Sequence, residues 1–261
     1  MSRSGVYARL GRGEREETEL ERLVIHCFDE HGGNYGRKRI RRALAKEHGV
    51  VASEKKIAAI LKKHGRAAKA GKKRKHRKKK SEAEYISENL LPDRAPAKSP
   101  NEVWQSDITE YRCKNGKLYV CGVLDAAMRK MVGWSILPHM RKEIVERALN
   151  MAIGRARPEP GLIFHSDRGS VYTSKRIKKI LDKNKMIGSM SRPGTPSDNQ
   201  LIESFWKTMK LELGPLTDLS FNEARQAIAR YIELYYNSRR LHSSIGYRTP
   251  NEAWAETMRT G

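Results

Sequence analysis

Apolar residues recur at helical spacing in three consecutive stretches near the start of the chain. One stretch falls within residues 14–28 and a second within 36–47. A third begins after Ser53, a residue suited to cap a helix, and ends at Gly65. Three short helices separated by tight turns predict a small helix-turn-helix domain over residues 1–65.

From residue 100 onward the pattern changes to short β-branched or aromatic runs that alternate with amphipathic stretches. The predicted strands are 102–109, 117–125, 131–137, 161–165 and 186–190. The predicted helices are about 142–156, 173–184, 198–213 and 221–237. A hairpin turn is expected at Lys114–Lys117, and Asp198 is expected to cap the helix that begins there. This order of elements indicates a second domain, of the α/β class, over residues 100–261.

The charge balance narrows the class of partner. Lysine and arginine number 53 against 30 aspartates and glutamates, so the formal net charge is +23. Such an excess favours a polyanion as partner. The sequence has no stretch near the ~18 consecutive apolar residues of a membrane-spanning helix, and residues 1–20 lack the apolar segment of a signal peptide. We therefore expect a cytoplasmic protein that binds nucleic acid and not a membrane.

A dense basic run connects the two predicted domains. Residues 66–80 contain ten lysines or arginines and no acid or large apolar residue, and such a run cannot build a core. Pro92, Pro96 and Pro100 then lead into the second domain. Residues 66–99 are therefore predicted to be a linker, either a solubilising spacer or a segment that adds salt-sensitive affinity for DNA.

Basic side chains suited to phosphate contacts lie on the third helix and in this linker. The alternative for each group is a solvated basic face with no ligand. The candidate DNA contacts are Lys55, Lys56, Lys62, Lys63, Lys72, Lys73, Arg74, Lys75, Arg77 and Lys78.

The three cysteines indicate neither a disulfide framework nor a thiolate metal site. Cys27, Cys113 and Cys121 are far apart, odd in number and form no Cys-x-x-Cys pair. They are predicted to be reduced core residues. His26 and His31 lie near the first of them, but no second pair follows at zinc-ligand spacing, so no metal is expected there.

Three acidic residues occupy unusual positions in the second domain. Asp107 interrupts a predicted strand, Asp167 ends a buried strand, and Glu203 lies early in a helix between apolar neighbours. Each has an ordinary alternative: an ion pair with a buried arginine, a turn cap, or a favourable charge at a helix N-terminus. Together they can supply the carboxylates that a pair of metal ions needs at a phosphodiester.

The segments around these acids form a specific set. They are Trp104–Thr109, Phe164–Ser174, Ser191–Asn199, Glu203–Trp206, Tyr236–Pro250 and, near the start, His31–Ile40. Together they resemble the insertion-sequence transposases of the IS3 family, OrfB type, and the retroviral integrases, over nearly the whole chain. The pattern departs at Val171, where glutamine is expected in many relatives.

This resemblance implies a ribonuclease-H-like integrase catalytic core, a five-stranded mixed sheet with flanking helices, after the helix-turn-helix domain. It implies that Asp107, Asp167 and Glu203 bind two Mg²⁺ or Mn²⁺ ions. It also implies that water cuts DNA at the ends of an element and that the freed 3′ hydroxyl attacks another phosphate. Lys207 and Lys210, on the helical face of Glu203, are then further candidate DNA contacts, or else part of a solvated face.

The partners implied are double-stranded DNA, as element terminal inverted repeats and as target, and further copies of the chain. An upstream-frame (OrfA) protein is a further candidate, because the chain begins without an apolar heptad or a second helix-turn-helix. Two alternatives stay open: a ribonuclease-H-like nuclease that hydrolyses without joining, and a DNA-binding protein that has lost catalysis. The residues expected to be structural are His165, Asn237, Arg240, His242, Trp104, Trp134 and Trp206.

Overall fold

The computed structural model describes residues 18–69, 85–92, 94–192 and 196–260. Contacts between Cα atoms divide the chain into two compact units, Met1–Ala70 and Gly71–Gly261. None of the helices that the structure describes has the length and apolar character needed to span a bilayer. The three cysteines are buried and form no disulfide, as predicted.

The first unit contains three helices: α1 (Glu19–Glu30), α2 (Arg37–Glu47) and α3 (Glu54–Lys63). The Ser53 hydroxyl accepts a hydrogen bond from the Lys56 backbone N–H at 3.2 Å, so the predicted helix cap is confirmed. One face of each helix is buried in a shared core. Its members are Val24, Cys27, Phe28, Ile40, Ala43, Leu44, Ile57, Ile60 and Leu61.

The second unit is built on a five-stranded mixed sheet with the strand order β3-β2-β1-β4-β5. Its strands are β1 (Val103–Cys113), β2 (Gly116–Asp125), β3 (Met131–Leu137), β4 (Ile163–Ser166) and β5 (Ile187–Met190). β1, β2 and β3 pair antiparallel, whereas β4 is parallel to both β1 and β5. The predicted five-stranded mixed sheet is therefore confirmed.

Helices cover both faces of the sheet, because side chains alternate along each strand. The helices are α4 (Lys142–Ala156), α5 (Lys175–Lys183), α6 (Gln200–Leu213), α7 (Phe221–Arg230) and α8 (Pro250–Thr260). Helices α4 and α5 share one core with Trp104 on β1 and Cys121 on β2. Helices α6 and α7 share the other core with Tyr111 and Leu118. Each central strand is thus buried on both sides.

Two predicted element boundaries are wrong. β1 extends to Cys113 and does not end at residue 109, because its pairing with β2 continues to the Cys113–Gly116 pair. The helix predicted over 221–237 ends at Arg230, and Tyr231–Tyr236 form a π-helix. The hydrogen bonds of a π-helix join residues five apart, one more than in an α-helix, and in this segment Tyr231 and Tyr236 are buried.

Residues 85–90 fall within the predicted linker 66–99, but they lie along the edge strand β5 and so belong to the second unit. The Leu90 N–H donates to the Ser189 hydroxyl at 3.0 Å, and the Met190 N–H donates to the Glu88 carbonyl at 3.3 Å. The Tyr85 N–H donates to the Thr173 carbonyl at 3.0 Å. Residues 85–90 therefore satisfy part of the free edge of β5.

Candidate active site

The two aspartates lie at the same point on neighbouring strands. β1 and β4 are parallel, and their last paired residues are Ser106 and Ser166. Asp107 and Asp167 each follow directly. Adjacent strands are about 4.8 Å apart, so the backbone brings the two aspartates side by side at the C-terminal end of β4.

Helix α6 begins next to this end of β4. The side chain of Gln105 accepts hydrogen bonds from the backbone N–H groups of Leu201 and Ile202 at 3.1 and 3.4 Å. Because residues two apart on a strand point to the same face, Asp107 faces the same helix turn as Gln105. Glu203 belongs to that first turn. The sequence reasoning missed Gln105, although its spacing from Asp107 was a usable signal.

The predicted role of Asp198 is wrong. Asp198 lies in a 3₁₀ turn (Pro196–Asn199), and the N-cap residue of α6 is Asn199, which makes no capping bond through its side chain. The Asp198 carboxylate instead accepts hydrogen bonds from Asn89 Nδ2 at 2.7 Å and from the Arg192 backbone N–H at 3.1 Å. A remote glutamine satisfies the free N–H groups of the helix, so no local cap is required.

The backbone next to Asp167 holds its carboxylate. The Gly169 N–H donates to Asp167 Oδ1 at 2.9 Å. A Cβ atom at position 169 would lie 2.9 Å from that same oxygen. A side chain at this position would therefore displace the carboxylate.

The two aspartates act electrostatically on the same buried groups. Burial, together with the smaller contributions of the charges of Asp107 and Asp167, raises the pKa of the Cys121 thiol to about 12. Burial likewise raises the pKa of the Tyr172 hydroxyl well above its ordinary value, with contributions from both aspartates. Both carboxylates are therefore close to one part of the core.

Glu203 lies in the first turn of α6, where its carboxylate has a lysine as partner. It is paired with the Lys207 ammonium at 3.8 Å, and its side chain is 33% exposed. In the part of the chain that the structure describes, no group of three or more His, Cys, Asp or Glu side chains is arranged to hold a metal ion. The structure thus places the two aspartates on neighbouring strands, whereas the Glu203 carboxylate is paired with Lys207 and does not join them in a three-carboxylate cluster.

His165 packs near this end of β4, as expected. Its ring nitrogens lie 2.9 Å from the Ser189 hydroxyl and 3.0 Å from the Ser191 hydroxyl. Burial lowers its pKa to about 4, against the opposing charges of Asp198 and Asp167. The ring is therefore a neutral hydrogen-bonding residue of the core.

Only some of the predicted DNA contacts lie among the described residues. Lys55, Lys56, Lys62 and Lys63 lie on exposed positions of α3, and Lys63 Nζ is 2.9 Å from a Glu21 carboxylate oxygen. The candidates Lys72, Lys73, Arg74, Lys75, Arg77 and Lys78 lie outside the described residues.

The two candidate lysines of α6 differ in their surroundings. Lys207 is exposed and paired with Glu203. Lys210 is also exposed, and its ammonium lies 5.6 Å from the centre of the Tyr111 ring. Both side chains project from the helix that carries Glu203.

The C-terminal polar residues serve the core. Asn237 exchanges two hydrogen bonds of 3.0 Å with the backbone of Met131. Arg240 is buried and paired with Glu212 at 3.0 Å. The structural expectation for both residues is confirmed.

Models of known domains match most of the chain. An HTH-like domain matches residues 14–74, and two models of an integrase core domain match residues 97–196 and 185–250. The expected helix-turn-helix domain and integrase core are thereby confirmed.

Curated relatives match nearly the full length. The transposase for insertion sequence element IS904 of Lactococcus lactis subsp. lactis (strain IL1403) is 37% identical over 251 residues, 95% of this chain and 98% of the relative. Transposase InsF for insertion sequence IS3A of Escherichia coli (strain K12) is 32% identical over 259 residues, 97% of this chain and 90% of the relative.

A solved structure, the catalytic core domain of BIV integrase, covers 61% of this chain and 97% of that chain at 19% identity, with a TM-score of 0.48. This likeness adds nothing to the assignment, which rests on the relatives. The identities of the relatives and their nearly complete coverage are decisive. The chain therefore belongs to the IS3-type insertion-sequence transposases that carry an integrase core domain.

Proposed function

We propose that this chain cuts DNA at the ends of a mobile element and joins the freed ends to target DNA, using Asp107, Asp167 and Glu203. The observation that carries the proposal is the position of the two aspartates. Each directly follows a paired residue on neighbouring parallel strands, next to the start of α6. Family membership supports the reaction class.

The donors fit divalent cations in kind. An integrase-type core depends on divalent metal, and we propose two Mg²⁺ or Mn²⁺ ions here. Carboxylate oxygens are the ligands that such hard cations prefer. When bound, the ions would stabilise charge on the attacking and leaving oxygens of a phosphodiester.

Glu203 completes this set of metal ligands when its carboxylate separates from the Lys207 ammonium. Without a cation, a third carboxylate is repelled by the other two and is better placed beside an ammonium. An exposed ion pair of this kind contributes no more than about 1 kcal/mol. The side chain of Glu203 is therefore available to turn toward the aspartates at small cost.

The chemistry proceeds in two displacements at phosphorus. Water attacks the phosphate at the element end, and the bond between phosphorus and the 3′ oxygen breaks, which leaves a 3′ hydroxyl. That hydroxyl then attacks a target phosphate, forms a new ester and releases the 3′ hydroxyl of the target strand. The chain itself holds the reacting phosphate: Lys207 and Lys210 contact the DNA backbone beside the carboxylates.

The rest of the chain supplies DNA affinity. We assign binding of the element ends to residues 1–65, through Lys55, Lys56 and Lys62 on α3, and salt-sensitive affinity to the basic residues of the linker 66–99. Residues 100–261 carry the chemistry. Because an element has two ends, we propose that at least two copies act together on DNA.

A strand-transfer assay tests the proposal. Labelled element-end DNA is incubated with Mg²⁺ and the full chain, with and without the upstream-frame protein. Wild type is expected to give both cleaved and joined products. Asp107→Asn is expected to give neither, and the matched control Asp182→Asn, an exposed acid on α5, is expected to match wild type. Full activity of Asp107→Asn would overturn the proposal, and cleavage without joining would favour a nuclease.

A further inference from the structure

One buried serine connects the three segments that carry the acids. Ser106 immediately precedes Asp107 and is fully buried. Its hydroxyl lies 2.9 Å from the Tyr172 hydroxyl, and its carbonyl accepts a hydrogen bond from Asn199 Nδ2 at 3.1 Å. Tyr172 follows Asp167 in the chain, and Asn199 precedes Glu203. We call Ser106, Tyr172 and Asn199 the Ser106 network.

The direction of the tyrosine bond follows from counting protons. A serine hydroxyl has one proton, and that of Ser106 is donated to the Gly122 carbonyl at 2.8 Å. Tyr172 therefore donates to Ser106. The Tyr172 hydroxyl also lies 3.6 Å from the Cys121 sulfur, which is a much weaker partner.

The tyrosine is rigidly joined to the loop that carries Asp167. The backbone N–H groups of Tyr172 and Thr173 donate to the Gly169 carbonyl at 2.9 and 3.1 Å. The Gly169 N–H donates in turn to the Asp167 carboxylate. Any change in the position of the Tyr172 ring is therefore transmitted to Asp167 through one short turn.

The asparagine is joined in the same way to the turn that carries Glu203. Asn199 is the N-cap residue of α6 and is 4% exposed. Its bond to the Ser106 carbonyl adds to the two bonds from Gln105 to the next turn. The first turn of α6 is thus held against β1 at the residue before Asp107.

Resting on the proposed function, we infer that Tyr172 and Asn199 are positioning residues that set the separation of the three carboxylates. They touch neither the metal ions nor DNA and act through Ser106. Residues that orient metal ligands typically change metal affinity about 10- to 100-fold when they are replaced. We therefore expect their loss to raise the metal requirement more than it lowers stability.

The test uses Tyr172→Phe in the full chain. Phenylalanine keeps the ring that packs against Phe164 and removes only the hydroxyl. The control is Tyr231→Phe, which removes a buried tyrosine hydroxyl bonded to Glu212 at 2.7 Å. Glu212 lies about 13 Å along α6 from Glu203 at 1.5 Å per residue. The control therefore loses a buried tyrosine hydrogen bond that lies away from Asp107, Asp167 and Glu203.

Two midpoints are measured against Mn²⁺ concentration: the rise in melting temperature of the protein alone, and strand transfer. Tyr172→Phe is expected to need about 10-fold more Mn²⁺ for both, and Tyr231→Phe is expected to need the wild-type concentration. Ser106→Ala removes the same bond from its other side, so it should reproduce the Tyr172→Phe midpoints, and the double variant should add nothing. Ser106→Ala carries the test if Tyr172→Phe does not fold. Asn199→Ala should shift the midpoints in the same direction.

The inference is overturned if Tyr172→Phe and Ser106→Ala keep the midpoints of Tyr231→Phe. Asp107→Asn is included to separate this result from the proposed function. If Asp107→Asn loses the Mn²⁺ response while Tyr172→Phe keeps it unchanged, only the positioning role fails. If Asp107→Asn keeps the full response and full strand transfer, the proposed function fails as well.

Discussion

The two ends of α6 carry glutamates in opposite situations. At the C-terminal end, Glu212 is buried, contacts Arg240 Nε through both oxygens at 3.0 and 3.1 Å, and accepts a bond of 2.7 Å from Tyr231. At the N-terminal end, the half-buried carboxylate of Glu203 lies 3.8 Å from the ammonium of an exposed lysine, Lys207. The same residue type is therefore fixed at one end of the helix and movable at the other.

The difference follows from solvation. A buried carboxylate must keep its partners, because removing one leaves an uncompensated charge in the core. An exposed carboxylate exchanges its partner for water or for another cation at little cost. The C-terminal pair thus holds the helix in place, and the N-terminal glutamate keeps the freedom that a metal ligand requires.

The largest expected effect comes from breaking the fixed end. Arg240→Met leaves Glu212 buried without its cation, so the free energy of unfolding should fall by about 3–5 kcal/mol. Urea unfolding followed by tryptophan fluorescence measures this, because all four tryptophans lie in the second unit. The neighbouring exposed arginine gives the control, Arg239→Met, with an expected change within about 0.5 kcal/mol. Equal losses in the two variants would refute the role of the buried pair.

Replacing the movable glutamate should affect chemistry and not stability. Glu203→Gln is expected to lower strand transfer by about 10²–10³-fold, as loss of a group that stabilises developing charge does. Its free energy of unfolding should change by less than about 1 kcal/mol. The matched variant Glu212→Gln should show the reverse, with lower stability in urea. Wild-type strand transfer by Glu203→Gln would remove this residue from the catalytic set.

A third carboxylate sharpens the comparison, because its hydrogen bonds come from neutral groups. Asp125 is fully buried and accepts backbone N–H bonds of 2.8 Å from Met128 and Asn101. Burial raises its pKa to about 6, above the 3.8 of an exposed aspartate. The folded protein therefore binds this proton more tightly than the unfolded chain, and stability is lost as the pH rises through about 6.

The measurement compares wild type with Asp125→Asn by urea unfolding at pH 7 and pH 4.5. Relative to the variant, wild type should gain about 2 kcal/mol at the lower pH. A constant difference between the two proteins at both pH values would contradict the raised pKa.

The smallest effect on stability is expected at Lys207. Lys207→Gln removes an exposed pair, so the free energy of unfolding should change by less than about 0.5 kcal/mol. If Lys207 contacts a phosphate, the slope of log affinity for DNA against log salt should fall by about 0.9. Lys179→Gln, on an exposed position of α5, is the control. An unchanged slope would reject the phosphate contact.

The local spacing of apolar residues predicted most helices and strands, because backbone geometry sets the interval at which side chains return to the same face. All five strands and the helices of the first unit were expected near their observed positions, since burial of one face leaves a readable spacing. The hairpin between β1 and β2 was expected from its turn residues. Helix α8 was missed, although Thr249 and Glu252 form a reciprocal cap at its start that the sequence displays.

What the sequence determined by itself was the set of acids, their family pattern and the order of elements, since each depends on residues near one another in the chain. Tertiary structure alone decided which side chains meet. Gln105 caps α6 in place of Asp198, Arg240 neutralises Glu212, and Ser106 bonds to Tyr172 and Asn199. Such partners are separated by many residues, and which of them meet depends on strand register and helix packing, which are settled only when the chain has folded.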